Sequence, residues 1–328
     1  MAAWLAALWL SAAPEAAAPT ARSLPAALPC TASELNELTA EATTPFRLIC
    51  RAVLTSGQSI RRPLLIEGAE ASGAGLDCQG GTVGHAGAAT TTRQPTIAIW
   101  SRRITAAHWS RPTDIRIQNC VIHGAVRVWG MGADGGYDDL RASSRTAAHT
   151  ATIQAAAPSH IELDRVTIVG TGSIPLYVGP GVTRLSLTNS TLTGRSDATA
   201  LYLDAESADN RIQNNAIAVR TGREMIAVDG SARNRITGNR FTLGGRPGVF
   251  LYRNCGERGV IRHQTPSDNQ ITNNVFSGAS WLRPRLVVVG AREGRRSYCS
   301  ADRGYPWGSS ADDGDRATGN IVARNLRR

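Results

Sequence analysis

The sequence predicts an all-β solenoid, a stack of coils with three short strands in each, and two observations predict it. The first is a repeat. An aliphatic residue, then polar residues that often include Asn, then an apolar residue five positions on recur as IQNCVI (117–122), LDRVTI (163–168), LTNSTL (187–192), IQNNAI (212–217), ITGNRF (236–241), ITNNVF (271–276) and IVARNL (321–326). Their starts are 46, 24, 25, 24, 35 and 50 residues apart, that is one period, two periods, or one period plus a loop. The second observation lies between these anchors. VRVWG (126–130), PLYVG (175–179), ALYLD (200–204), MIAVDG (225–230), GVFLYR (248–253) and RLVVVG (285–290) follow at matching intervals, mostly with apolar residues in alternation. Such alternation marks strands with one buried face. One short repeat cannot close a core, but a stack of them buries a continuous one.

The elements follow in chain order. Residues 1–22 hold an apolar run, Ala2–Leu10, followed by small residues, which reads as an export signal although no Lys or Arg precedes it. The run is too short to span a bilayer. Residues 23–60 are expected to cap the solenoid: Thr31 and Glu34 form a capping-box pattern ahead of Leu35 and Leu38, so a short amphipathic helix should plug the apolar end. Residues 61–328 are expected to be the coils, beginning with 64–83 and interrupted by polar loops at 131–149 and 291–318. Asn at successive turns should form hydrogen-bonded ladders and tolerate the left-handed backbone those turns need. The six cysteines suit an exported chain, and nearest-neighbour pairing gives 30–50, 78–120 and 255–299.

On this repeat the chain resembles the right-handed parallel β-helix proteins of the pectate-lyase-like superfamily over about residues 60–328. The resemblance implies a right-handed parallel β-helix solenoid with an N-terminal helical cap. Two family signatures are missing: Arg283-Pro284-Arg285 is only a fragment of the pectate-lyase arginine pattern, and no Asp doublet with Gly-His-Gly of the polygalacturonase type is present. The reaction therefore has to be argued from this chain's own residues.

Composition narrows the function. Aromatic residues are 5% of the chain, so Val, Ile, Leu and Ala must fill the core. The net charge is +10, and all 36 basic residues are Arg. A basic chain favours anionic partners, although exclusive Arg usage also fits GC-rich coding. No GxSxG, HExxH, P-loop or GxGxxG motif and no nucleic-acid-binding module is present. No Cys/His cluster has zinc spacing.

Candidate site residues come from aligning the alternating segments. With Val126, Leu176, Leu201, Ile226, Val249 and Leu286 inward, one outward column reads Arg127, Tyr177, Tyr202, Ala227, Phe250 and Val287. The second reads Trp129, Gly179, Asp204, Asp229, Tyr252 and Val289. Adjacent rungs lie about 4.8 Å apart, so Tyr177, Tyr202 and Tyr252 would offer a stacked sugar platform beside Asp204 and Asp229. Those two carboxylates could act as acid and nucleophile or base at a glycosidic bond. They could instead hold Ca²⁺, or serve as ordinary turn formers at strand ends. Glu224 and Arg223 are expected to form a surface ion pair.

A second cluster, Arg253, Glu257, Arg262 and His263, falls in the loop that lengthens one repeat. Lyase chemistry needs a cation to neutralise a uronate carboxylate and a group to take the neighbouring proton. Arg262 suits the first task and Arg253 or His263 the second, with Glu257 contacting substrate. The reading that results is a periplasmic or secreted, monomeric protein. It acts on an acidic polysaccharide by β-elimination, with Ca²⁺ at Asp204 and Asp229. The alternatives are a glycoside hydrolase using Asp204 and Asp229 directly, and a non-catalytic carbohydrate-binding or structural β-helix.

Overall fold

The computed structural model describes residues 27–278, 283–293 and 302–328; the expected signal segment lies outside them. Most of the described strands form three parallel sheets that the chain visits in turn, one strand of each per coil; Arg102–Thr105 and His108–Ser110 form a separate antiparallel pair, and Arg220–Thr221 is an extra short strand beside Thr191–Ser196. Sheet 1 runs from Phe46–Arg47 through Val126–Trp129, Leu176–Val178, Leu201–Leu203, Ile226–Asp229 and Val249–Tyr252 to Val287–Val289. Sheet 2 runs from Arg51–Val53 to Ile321–Ala323, and sheet 3 from Ser59–Ile60 to Leu326–Arg327. This is the parallel β-helix of the repeat. Its first coil begins at Phe46, inside the stretch assigned to the cap.

Register follows the apolar pattern. Val126, Leu176, Leu201, Ile226 and Val249 pair in sequence and are fully buried inside the coil. The column shifts once: Val249 pairs with Val287, not Leu286, so Val288 continues the outward row beside Phe250. A run of three valines has no polar alternation to fix its faces, and Leu286 and Val287 both pack on the core.

Two asparagine ladders flank sheet 2. Amide donors run from Asn210 to Asn234 to Asn269 to Asn320 at 2.9, 2.8 and 3.0 Å. Five residues on, Asn215, Asn239, Asn274 and Asn325 repeat this at 3.0, 3.0 and 2.9 Å. The residue before each member of the second ladder is left-handed: Asn214 (φ 57°), Gly238 (69°), Asn273 (57°) and Arg324 (54°).

The N-terminal end is closed by the helix Ala32–Thr39, whose capping box is formed by Thr31 and Glu34 and whose Leu38 is buried. Cys30–Cys50 and Cys78–Cys120 are bonded as expected, each tying neighbouring turns of chain. Cys255 is also disulfide-bonded, and its expected partner Cys299 lies outside the described residues.

The stretch 131–149, expected as a polar loop, contains the helix Asp138–Ser144, and a second helix, His149–Ala156, starts at its last residue. It holds no proline after Gly136, and its apolar positions have helical spacing: His149, Ile153 and Ala156 share the buried face. Arg111 donates to the Gln154 and Ala157 carbonyls at 3.2 and 3.0 Å, a cation at a helix C-terminus. These helices share a small apolar cluster, Trp109, Met131, Leu140, Ile153, Ala156 and Val260, with the segment after Arg253. Together they cover the outer face of sheet 1.

Candidate functional site

The outward residues of sheet 1 stack as the alternation requires. Tyr177 pairs with Tyr202 across adjacent strands with ring centroids 5.8 Å apart, and Trp129 lies 5.5 Å from Tyr177. Asp204 and Asp229 follow at the ends of neighbouring strands. The expected open platform is absent: Tyr177 and Tyr202 are each 9% exposed and Tyr252 is fully buried, with Asn254 reaching the Tyr202 hydroxyl and the Arg292 guanidinium 3.8 Å from the Tyr252 ring centroid.

Beneath that cover every carboxylate oxygen of the pair is matched. Asp204 accepts from Arg262 Nη1 at 2.6 Å, from its neighbour's amide (Ala205) at 2.8 Å, and from the Tyr177 hydroxyl. Asp229 accepts from the Asn254 amide at 2.7 Å, the Asn254 side chain at 2.5 Å and the Tyr202 hydroxyl at 2.6 Å. Burial pushes the Asp229 carboxyl above its ordinary range, against the pull of Arg262. Burial and the partnered carboxylates likewise push the Tyr177 and Tyr202 hydroxyls well up. These residues do not fit Ca²⁺. The cation would have to displace N–H and O–H donors from all four oxygens, and Arg262 already supplies the local positive charge. Among the described residues no group of three or more acidic, His or Cys side chains is placed to hold a metal ion.

The loop cluster divides. Arg262 joins the aspartates, with its side chain 12% exposed. Arg253 turns away: its guanidinium donates to the Asp312 carbonyl and carboxylate, both at 2.9 Å, and its amide donates to Asp315 at 2.9 Å. His263 places Nε2 2.7 Å from the Ser144 carbonyl. Glu257 stays exposed in a short turn. Arg223 and Glu224 form the expected ion pair at 2.8 Å, but only Arg223 is partly exposed: Glu224 is buried, and both meet the Tyr252 hydroxyl, at 2.7 and 3.0 Å.

Sequence reasoning missed Glu206 and His149. Glu206 is buried and accepts from Thr150 Oγ1 at 2.5 Å and the His263 and Gln264 amides at 2.7 and 3.0 Å. It thereby fastens helix and loop to the coil. His149, 5.0 Å from the His263 ring, has its pKa pushed down to about 3 by burial and by the neighbouring His263 and Arg262. His149 lies outside the repeat, and Glu206, though on a coil, finds its partners Thr150, His263 and Gln264 in the cover.

Between cover and sheet lies a cavity of about 150 Å³. Its walls include Trp129, Tyr137, Tyr177, His149, Asp204 and Arg262, with Glu257 and Arg258 also lining it. A protein family described as right-handed β-helix region matches residues 105–283, just over half of the chain. The chain therefore belongs to the right-handed β-helix family. No curated protein sequence matches it.

Proposed function

We propose that this β-helix protein is exported, binds acidic carbohydrate, and uses the cavity under the helical cover as its sugar site. One observation carries the reading: the cavity combines aromatic walls, Trp129, Tyr137 and Tyr177, with the cations Arg258 and Arg262. Rings offer their faces to the apolar side of a sugar, and guanidinium forks suit a uronate carboxylate. The disulfides support an oxidising compartment.

Retention of the sugar is the best supported activity. Asp204 and Asp229 have no uncommitted oxygen, and Asp229 is fully buried, which disfavours a water-using hydrolase. Arg253 and His263 are held by Asp312 and the Ser144 carbonyl, so the expected proton-handling groups are committed elsewhere.

Lyase-type β-elimination is the second reading, favoured by Arg258 and Arg262 lining one cavity. There a base would take the proton at C5 of a uronate. The C4–C5 double bond would form as the C4–O bond breaks, and the departing oxygen would gain a proton.

The test incubates the purified chain with uronate-containing and neutral polysaccharides. Binding is followed together with ultraviolet absorbance of new double bonds and new reducing ends. Binding of uronans with both other signals flat is the expected result. Absorbance and reducing ends rising together would establish the lyase, and reducing ends alone a hydrolase. No binding to any acidic glycan would overturn the reading.

A further inference from the structure

Away from the covered site, the outer face of sheet 2 carries an open strip of arginines. Arg211 and Arg235 stand directly opposite each other on adjacent strands. Arg184 is exposed on the preceding strand, two residues before Ser186, the partner of Arg211. Neighbouring strands lie about 4.8 Å apart, and like charges facing each other at that spacing repel. Nearby cations are neutralised: Arg116 donates to Glu162 at 2.9 Å, and Arg233 to Asp209 at 2.9 and 3.1 Å. Among the described residues, Arg184, Arg211 and Arg235 have no side-chain hydrogen bond or ion pair.

Two open grooves of about 750 and 590 Å³ run along this face and meet at Arg184 and Arg211. They share no lining residue with the cavity under the cover. One edge is a column of left-handed residues from six successive coils, Asp114, His160, Arg184, Asp209, Arg233 and Asp268, with φ between 55° and 60°. Such positions take Gly or Asn most readily, yet each bears an ionisable side chain. Repulsion and strained turns on one face both oppose stability. An anion laid across Arg184, Arg211 and Arg235 would relieve the repulsion.

The lining selects the kind of anion. Among its described residues there is no Trp, Tyr or Phe on which bases could stack. Along the column Asp114, Asp209 and Asp268 alternate with Arg184 and Arg233, which opposes an unbroken run of phosphates. A chain that alternates carboxylates with hydroxyls suits it: guanidiniums take the carboxylates, and aspartates accept from the hydroxyls.

We propose that the outer face of sheet 2 holds an extended stretch of acidic polysaccharide lying across the coils, its uronate carboxylates on Arg184, Arg211 and Arg235. This is a second site, separate from the cavity, and it shares with the reading above only the class of glycan.

Binding of polygalacturonate, its methyl ester and free galacturonate to the full chain tests this. The acid polymer should bind about tenfold or more tighter than the ester, and added salt should erase the difference. Joint replacement Arg184→Gln, Arg211→Gln and Arg235→Gln should weaken polymer binding about tenfold or more and leave free galacturonate unaffected. The melting temperature of that variant at low salt should stay level or rise, since like charges are removed and no partner is stranded. The same loss of charge around sheet 3, by Arg195→Gln, Arg220→Gln and Arg240→Gln, should change polymer binding far less. Arg258→Gln should weaken free galacturonate and spare the polymer.

Equal losses in the two triple variants would overturn the site, leaving only diffuse attraction to a basic chain. Full polymer affinity in the sheet 2 variant would overturn it too, and the cavity reading would stand as long as free galacturonate binds. Duplex DNA or phosphatidylglycerol vesicles that match the polymer would overturn the choice of a glycan. Failure of every acidic sugar, free or polymeric, would remove both readings.

Discussion

Asp204 and Arg262 form a buried pair 2.6 Å apart, and removing one member leaves the other charged and enclosed. Asp204→Ala should therefore cost about 3–5 kcal/mol in urea unfolding, whereas the joint change with Arg262→Met should cost much less. His149 gives a pH dependence whose sign is fixed by its depressed pKa. Between its ordinary 6.5 and the folded value of about 3, the unfolded chain binds more protons, so this stability is complete above 6.5 and is lost as pH falls toward 3. The contribution is at most roughly 5 kcal/mol. Asp229 acts oppositely: its raised pKa favours the folded state where the carboxyl is protonated and subtracts stability as pH rises. Urea midpoints from pH 7 down to pH 3 should fall for the parent chain and fall less for His149→Gln. Alternation placed Asp204, Asp229 and the tyrosines on one face from sequence alone. Whether those residues are open or sealed depended on segments outside the repeat. Arg253 had the right neighbours in sequence, but Asp312 and Asp315, some sixty residues on, decide where it points.

The ladder asparagines and the turn asparagines beside them look alike in sequence and differ in what they hold. Asn239 donates to the Ile212 carbonyl and to Asn274 at 2.8 and 3.0 Å, and accepts from the Asn215 amide at 3.0 Å. Asn239→Ala strands these buried groups and should cost about 1–3 kcal/mol in urea unfolding. Asn214 serves by its backbone, at φ 57°, so Asn214→Gly should change stability by less than about 1 kcal/mol. The pattern of the strands was legible because burial alternates with polarity. The run Val287–Val289 was not, since three like residues fit either face. The helices Asp138–Ser144 and His149–Ala156 were hidden by Gly, Ser and Thr in the same stretch. Their amphipathic faces become apparent only against Trp109 and Val260.

Each coil touches chiefly the coil before and the coil after, so stability accumulates from neighbour to neighbour. The bonds Cys30–Cys50 and Cys78–Cys120 both lie in the first coils. Reducing them should cost about 2–4 kcal/mol each. Hydrogen exchange after reduction should quicken first around residues 46–83, with the coils at 176–252 changed least. The cover is attached differently. Arg141 donates to the Arg258 carbonyl at 2.9 Å, Ile261 to Ser144 Oγ at 3.0 Å, and Glu206 gathers the His263 and Gln264 amides, so side chains stitch it where the coils have ladders. A ligand that needs the cover to part should show an association rate that levels off as concentration rises, whereas one that enters past Glu257 and Arg258, the exposed residues of the cavity's lining, should show a rate that rises in proportion.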